Sequence, residues 1–253
     1  MIQLTEAQLL GWLTPLLWPF LRTLALFSAM PVLGTRTVPV RVRIGLAAFT
    51  SLAAQASLPE VAPVALDSAL AFVLVVQQVL IGVALGFAVR VVFAAVEFAG
   101  EIIGLQMGLN FAGFFDPLSA ATGTATSRFY GTTIAWLFIV VNGHLLVIAA
   151  LMQSFEAFPV GPEPFGFLKQ TQPHRWGGEI FALGLWLAMP LIAMLLFVNL
   201  VLGMISRVAS QINIFAVGFP ITLGVGLLGI LLTLPAMQQP FTVALERMLS
   251  FFR

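Results

Sequence analysis

The chain has 253 residues, of which 60% are apolar and only 8% are Asp, Glu, Lys or Arg. A soluble domain carries about 25% charged residues, so this composition argues against a free soluble enzyme. The formal net charge is +1 and Lys169 is the single lysine, so no basic face for nucleic-acid binding is expected. The absence of cysteine excludes disulfides and thiolate metal sites.

Six long apolar stretches follow one another along the chain. Strands of a membrane barrel would alternate apolar and polar residues, whereas these runs are continuous, as in helices that avoid water. The sequence therefore predicts an all-α fold of the membrane-protein type, with about six hydrophobic helices. The stretches are 9–33, 44–58, 68–89, 134–152, 180–205 and 212–236.

Prolines lie in or beside several of these stretches. Each proline removes an amide donor and clashes with the carbonyl group four residues earlier in a helix. Two interpretations stay open: proline is common in membrane helices, or the helices are bent hairpins that do not span. The second stretch is also short for a span of about 20 residues. The prolines are Pro15, Pro19, Pro31, Pro190, Pro220 and Pro235.

Between the third and fourth stretches, Arg90, Glu97 and Glu101 are spaced so that they share one face of a helix. Ionisable groups at membrane depth are candidates for a proton or ion relay. The alternative is a structural polar face directed at neighbouring helices or at the cytosol. We favour the structural interpretation, because none of the apolar stretches supplies a further acid.

Small residues recur every four positions in two places, at Gly82 and Gly86 and again at Gly100, Gly104 and Gly108. Such stripes allow helix backbones to approach closely. They predict close helix packing, either within this chain or with another subunit.

Residues 107–117, with the sequence MGLNFAGFFDP, are poorly suited to a helix interior, and Asp116 precedes a proline. Residues 118–127, LSAATGTATS, are small and polar and predict a flexible loop. Phe111, Phe114 and Phe115 have two interpretations. Composition favours a role for these three side chains as anchors for packing. The alternative is that they form an apolar constriction that keeps water and ions out of a channel.

Other polar residues give no site. Arg22 lies inside the first apolar stretch, where it would snorkel or pair with a carboxylate. Two histidines and no cysteine make a zinc site unexpected, and no nucleotide-binding or nucleophile motif occurs. The sequence predicts no catalytic residue, no metal and no cofactor.

Two motifs, GLNFAGFFDP at 108–117 and SQINIFAVGFP at 210–220, resemble the FliR family. This family comprises the flagellar export-gate subunit, whose counterpart in injectisomes is the T subunit of type III secretion. The resemblance covers the whole chain in length, in apolar segments and in the order of the motifs. The family often has proline before the Gln of the second motif, where this chain has Ser210.

The resemblance implies a non-enzymatic subunit of a helical, pore-forming gate, built from bent hairpins. It implies a P-subunit-like part at 1–175, with a pore loop at 107–127, and a Q-subunit-like hairpin and tail at 176–253. One copy would join several P and Q subunits, with FlhB- and FlhA-type components as further partners and unfolded export substrates in transit. The location would be the bacterial inner membrane, within the flagellar basal body, with the core displaced to the periplasmic side.

The resemblance also implies roles for individual residues. A loop that plugs the pore would comprise Met107, Gly108, Leu109, Asn110, Phe111, Phe114, Phe115, Asp116 and Pro117. A hairpin bend with subunit contacts would comprise Arg207, Gln211, Asn213 and Pro220.

Two alternatives compete with this gate. The first is a proton-coupled secondary transporter that uses Glu97 and Glu101, although no convincing internal repeat relates the two halves. The second is a structural membrane anchor without a role in a pore.

Overall fold

The computed structural model describes residues 6–55, 58, 64–65, 67–109, 123–209 and 214–253. Every regular element in these ranges is helical, and no strand occurs among them, which confirms the all-α prediction. The α-helices are α1 (Glu6–Ala29), α2 (Val40–Ala54), α3 (Ala69–Gln106), α4 (Ala125–Val140), α5 (Gly143–Ala157), α6 (Gly166–Thr171), α7 (Trp176–Val208), α8 (Ile214–Thr233) and α9 (Gln238–Leu249). Short 3-10 helices occupy Pro173–Arg175, Leu234–Met237 and Ser250–Phe252.

Helices occur at all six apolar stretches, but they differ in their suitability for crossing a membrane. Among the residues that the structure describes, three helical stretches are long and apolar enough, namely Ala69–Gln106, Gly166–Val208 and Ala216–Phe252. A fourth candidate exists if α4 and α5 are counted as one broken span. Helix α2 has 15 residues and a length of about 22 Å, which is less than the about 30 Å of a bilayer core.

The third helix is longer than its apolar stretch. The stretch ends at Val89, whereas α3 continues to Gln106 through the region that looked polar and glycine-rich. Gly100 and Gly104 are tolerated inside the helix because each lies against the backbone or side chains of α4, where a side chain would not fit. A tertiary contact thus compensates for weak helix propensity.

The fourth apolar stretch is interrupted. The structure divides it into α4 and α5 at Asn142, which has a left-handed backbone with φ of 57°. Asparagine is one of the few residues that adopt this conformation readily, and it ends the regular helix there.

Prolines do not break the helices in which they lie. Helix α1 runs through Pro15 and Pro19, α7 through Pro190 and α8 through Pro220. Pro31 follows the end of α1, and Pro235 lies in a 3-10 helix. Each of these four internal prolines therefore lies within a continuous helix.

The chain divides into two compact units whose boundary falls within α3. The first unit comprises 1–90, 142–176 and 245–253, and the second comprises 91–141 and 177–244. In the first unit α3 approaches α1 closely, because a Cβ atom at Gly82 would lie 2.8 Å from Ala25 Cβ, and one at Gly86 would lie 2.5 Å from Ala29 Cβ. This glycine pair therefore serves packing within the chain.

Arg22 of α1 is fully buried in the first unit. Its guanidinium donates to the Gln78 side chain at 2.8 Å, to the Ser154 carbonyl at 2.7 Å and to the Phe158 carbonyl at 2.9 Å. It also lies over the Phe155 ring, 3.8 Å from the centroid. These partners are neutral, so the expectation of snorkelling or a carboxylate partner was wrong. The cation instead joins α1 to α3 and α5.

Candidate pore-loop site

The start of the predicted pore loop is fixed by the C-terminal cap of α3. Gly108 has φ of 82°, and its N–H donates to the carbonyl of Leu105 at 3.1 Å. The N–H of Leu109 donates to the carbonyl of Gly104 at 3.0 Å. This pair of hydrogen bonds around a left-handed glycine is the Schellman motif, which satisfies the last carbonyl groups of a helix. The chain therefore leaves α3 in a defined direction.

Met107, the last residue before that glycine, is held by α8. Its side chain is 0% exposed. A Cβ atom at Gly226 would lie only 2.5 to 2.8 Å from the Cγ, Sδ and Cε atoms of Met107, so the methionine occupies the space that a larger residue on α8 would fill. The Thr222 hydroxyl is shared between the carbonyl of Phe219, at 3.1 Å, and the carbonyl of Met107, at 3.4 Å.

The end of the same loop is fixed by the N-terminus of α4, which begins at Ala125, so the prediction that the loop extends to residue 127 was wrong for its last three residues. Gly123 has φ of 81°, and Thr124 follows with an extended backbone as the N-cap residue. The Thr124 hydroxyl accepts a hydrogen bond from the N–H of Ser127 at 3.1 Å. Such a cap satisfies one of the free N–H groups in the first turn of a helix.

Glu101 of α3 binds this cap. Its Oε2 atom accepts hydrogen bonds from the Thr124 N–H at 3.1 Å and from the Thr124 hydroxyl at 2.9 Å. A carboxylate at a helix N-terminus is also favoured by the positive end of the helix dipole. Glu101 thus joins the helix that precedes the loop to the helix that follows it.

Close packing of α3 on α4 supports the same arrangement. A Cβ atom at Gly100 would lie 2.9 Å from the Tyr130 ring and 3.0 Å from the Ser127 Cα. At Gly104 the space is filled by the Thr126 hydroxyl. Glu97, which is exposed, packs the carbon atoms of its side chain against Gly131, where a Cβ would lie 3.3 Å from its Cγ.

Helices α7 and α8 run antiparallel to each other in the second unit. A Cβ atom at Gly229 would lie 2.6 Å from Leu191 Cδ2, and one at Gly218 would lie 3.6 Å from Leu202 Cδ1. Residues later in α8 therefore contact residues earlier in α7. This hairpin includes Gly226 of α8, against which Met107 packs.

The predicted site residues are distributed as follows. Met107, Gly108 and Leu109 form the start of the loop. Arg90 is exposed on α3, Arg207 is exposed in the last turn of α7, and Pro220 is exposed on α8. Eight predicted residues lie outside the described ranges, namely Asn110, Phe111, Phe114, Phe115, Asp116, Pro117, Gln211 and Asn213.

Sequence reasoning missed Thr124, Thr222 and Gly226. Thr124 carried a signal, because threonine at the start of an apolar helical run is a frequent N-cap. Small residues also recur every four positions on one face of α8, at Gly218, Thr222 and Gly226. The stripe predicts a close helix contact without identifying the partner, and here part of that partner is a side chain more than one hundred positions earlier.

The part of the chain that the structure describes contains no group of three or more His, Asp or Glu residues that could hold a metal ion.

Comparison with known proteins gives the following similarities. Residues 13–248 match the family described as bacterial export proteins, family 1. The flagellar biosynthetic protein FliR of Escherichia coli (strain K12) is 47% identical over 230 residues, which cover 90% of this chain and 87% of the relative. The protein of the same name from Pectobacterium carotovorum subsp. carotovorum is 42% identical over 236 residues, covering 93% and 90%. That from Bacillus subtilis (strain 168) is 28% identical over 240 residues, covering 90% and 91%.

Proposed function

The chain belongs to family 1 of the bacterial export proteins as a FliR protein, a component of the flagellar export apparatus in the inner membrane, and we propose that it forms part of the protein-conducting pore and supplies the loop that closes it. In this role it binds no cofactor and catalyses no reaction. It forms a path for unfolded polypeptides and prevents ion flow when the path is idle.

The observation that carries this proposal is the anchoring of both ends of residues 110–122. The Schellman cap and the packing of Met107 against Gly226 fix the start of the loop. The two hydrogen bonds that Thr124 donates to Glu101 fix its end. A segment held at both ends has a defined position from which to project. Its sequence supplies Phe111, Phe114 and Phe115, and apolar side chains at a constriction exclude water and ions.

The outward faces of α7 and α8 support a role as one subunit among several. They expose large apolar side chains to a degree that monomeric soluble proteins rarely show. We propose that P and Q subunits cover these faces in a hetero-oligomer with one copy of this chain, and that FlhB- and FlhA-type components bind the same assembly. The exposed residues include Phe181, Trp186, Met189, Phe197, Leu200, Leu228, Leu231 and Leu232.

Displacement of the core toward the periplasm is part of the proposal. It is supported by α2, whose 15 residues and length of about 22 Å fall short of the about 30 Å of a bilayer core. Helix α1 also buries the charged Arg22 against neutral protein groups rather than presenting it to lipid headgroups.

The proposal also assigns roles to the polar face of α3 and to the hairpin bend. We propose that Arg90, Glu97 and Glu101 form a structural polar face, with Glu101 bound to the α4 cap as its best-defined member. Arg207, Gln211, Asn213 and Pro220 belong to the hairpin bend and its subunit contacts. The division into a P-subunit-like part at 1–175 and a Q-subunit-like part at 176–253 remains a proposal, because the compact units are defined by contacts and not by likeness to other subunits.

Substitution of the three loop phenylalanines tests whether they close the pore. The assembled gate, produced with its P and Q subunits in Escherichia coli, is compared with variants in which Phe111, Phe114 and Phe115 are all changed to Ser or all to Leu. The serine variant is expected to collapse the membrane potential reported by a dye, whereas the leucine variant keeps an apolar constriction and should stay sealed.

Deletion of 111–122 provides the second arm. A leaking deletion supports the pore, and co-purification with the P and Q subunits controls for assembly. If the deletion and the serine variant both assemble and both remain sealed, the chain is a structural anchor and not the closing subunit. If replacement of Glu97 and Glu101 by Gln abolishes transport while the seal and assembly are intact, the transporter alternative takes its place.

A further inference from the structure

We propose that Gly226 of α8 is the seat that positions Met107, so that α8 sets where the closing loop begins. This inference rests on the proposed function of residues 110–122 and adds the element that controls them. It assigns a positioning role to Gly226, Thr222 and Met107.

The first step is the fit between the methionine and the glycine. Met107 is 0% exposed, so its side chain is enclosed by protein and not by solvent. Three of its side-chain atoms lie within 2.8 Å of the position that a Gly226 Cβ would take. Any side chain at 226 therefore displaces Met107, and well-packed interiors accommodate added groups only by shifts of side chains and backbone.

The second step is the short distance from this contact to the loop. Met107 directly precedes Gly108, the left-handed residue at which the chain turns out of α3. Thr222, one turn from Gly226, shares its hydroxyl with the Met107 carbonyl. Helix α8 therefore holds both the side chain and the backbone of the residue at the turn, and a shift of Met107 changes the direction in which the loop starts.

The third step is the two-sided character of α8. Its inward face carries small buried residues, Gly218, Thr222 and Gly226, while Leu227 and Leu231 are exposed on the outside. Whatever covers the outer face can move α8, and the seat on the inner face would carry that movement to Met107. Small shifts of a packed helix are a common form of conformational switching.

The test uses a matched pair of glycines two positions apart. Gly226→Ala and Gly226→Val introduce a side chain at the seat, whereas Gly224→Ala and Gly224→Val introduce it into open space on the same helix. The gain in helix propensity from replacing glycine is the same at both positions. In the gate assembled with P and Q subunits, the Gly226 variants are expected to raise ion leak several-fold, Val more than Ala, while the Gly224 variants match the wild type.

A compensating change separates the seat from general damage. Met107→Ala removes the side chain that Gly226→Val displaces, so the double variant should leak less than Gly226→Val alone and less than Met107→Ala alone. Such non-additivity is expected for residues that share a contact or a cavity and not for distant, independent sites. If Gly226→Val fails to assemble, the same comparison is made with Gly226→Ala.

The two proposals fail in different ways. If deletion of 111–122 leaks but both Gly226 variants stay sealed, the seat is wrong and the pore function stands. If the Gly226 variants leak and Met107→Ala does not suppress the leak, the seat is also wrong. If the deletion itself stays sealed in an assembled gate, the proposed function has failed, and the seat with it.

Discussion

The Glu101 Oε2 atom accepts two hydrogen bonds from Thr124, one from the N–H at 3.1 Å and one from the hydroxyl at 2.9 Å. These residues lie 23 positions apart, on opposite sides of the predicted plug loop. The bonds engage the carboxylate at the N-cap of α4, where a negative charge is stabilised. The carboxylate that a proton relay would use thus joins the two helices that flank the loop.

Substitutions of Glu101 distinguish these roles. Glu101→Gln keeps an oxygen acceptor for Thr124 and loses only the charge, so export of flagellar substrates should stay within about threefold of wild type, in line with about 0.3–1 kcal/mol for a helix-dipole contact. Glu101→Ala removes the acceptor, destabilises the cap by about 1–3 kcal/mol and should increase ion leak. Secretion and membrane potential are measured in the same cells.

Thr124→Val is the matched variant, because it removes the hydroxyl at nearly constant size. It should reproduce part of the Glu101→Ala effect, and the two changes together should be less than additive. Loss of export in Glu101→Gln, with leak and assembly unchanged, would contradict the capping role and favour a relay.

Close packing of α3 on α4 gives a prediction about stability. Gly104→Val places two methyl groups where the Thr126 hydroxyl lies, and such overpacking destabilises a core by about 1–3 kcal/mol. Thermal unfolding of the detergent-purified chain is the measurement. Gly45→Val is the control, because a Cβ at Gly45 meets nothing within 4 Å.

Thr126→Ala should recover part of the stability lost in Gly104→Val, since it vacates the contested space. Equal destabilisation by the Gly45 and Gly104 variants would mean that the loss arises from valine in a helix rather than from the contact.

The helices could be predicted from the sequence because hydropathy and continuity are local properties. Their bounds were less predictable where a distant contact decides the outcome. The third apolar stretch ends at Val89, yet α4 packs on Gly100 and Gly104 and α3 continues through them to Gln106. At Asn142 the reverse occurs, because a left-handed residue divides an apolar stretch that reads as one helix.

The site was predictable only in part for the same reason. Its motif identified where the loop begins, since glycine and aromatics are poorly suited to a helix interior. The residues that hold it are remote in sequence: Thr222 lies 115 positions from Met107. A stripe of small residues indicates a close contact but fits many partners, so Gly226 could not be paired with Met107 without the fold.

Arg22 gives a prediction about the first unit. Arg22→Met preserves much of the side-chain length but leaves the Gln78 side-chain oxygen and the Phe158 carbonyl without their donor, whereas the Ser154 carbonyl still accepts a hydrogen bond from the Phe158 N–H. Buried acceptors left without a partner cost about 1–3 kcal/mol each, so a loss of at least about 2 kcal/mol is expected in the free energy of unfolding. Arg90→Met, at an exposed position of α3, should change it by about 0.5 kcal/mol or less.

Gln78→Leu combined with Arg22→Met removes one of the unsatisfied acceptors together with its donor. This double variant should be more stable than Arg22→Met alone. If Arg22→Met is as stable as the Arg90 control, the neutral hydrogen bonds around the guanidinium contribute little to holding α1 against α3 and α5.

The last prediction concerns Phe252, in the 3-10 helix Ser250–Phe252. Its ring is 0% exposed and lies 5.9 Å from Trp176 and 6.3 Å from Phe158 in edge-on contacts. Phe252→Ala should destabilise the first unit by about 3–5 kcal/mol, as for other buried phenylalanines.

Phe251→Ala is the matched control, since that ring is 37% exposed and stacks on one face of Trp176. The Phe251 variant should lose clearly less stability than the Phe252 variant. Intrinsic Trp176 fluorescence is not separable from that of the other four tryptophans, so thermal unfolding of the purified chain is the measurement. Equal losses in the two variants would mean that the C-terminal segment is held by stacking on Trp176 rather than by burial of Phe252.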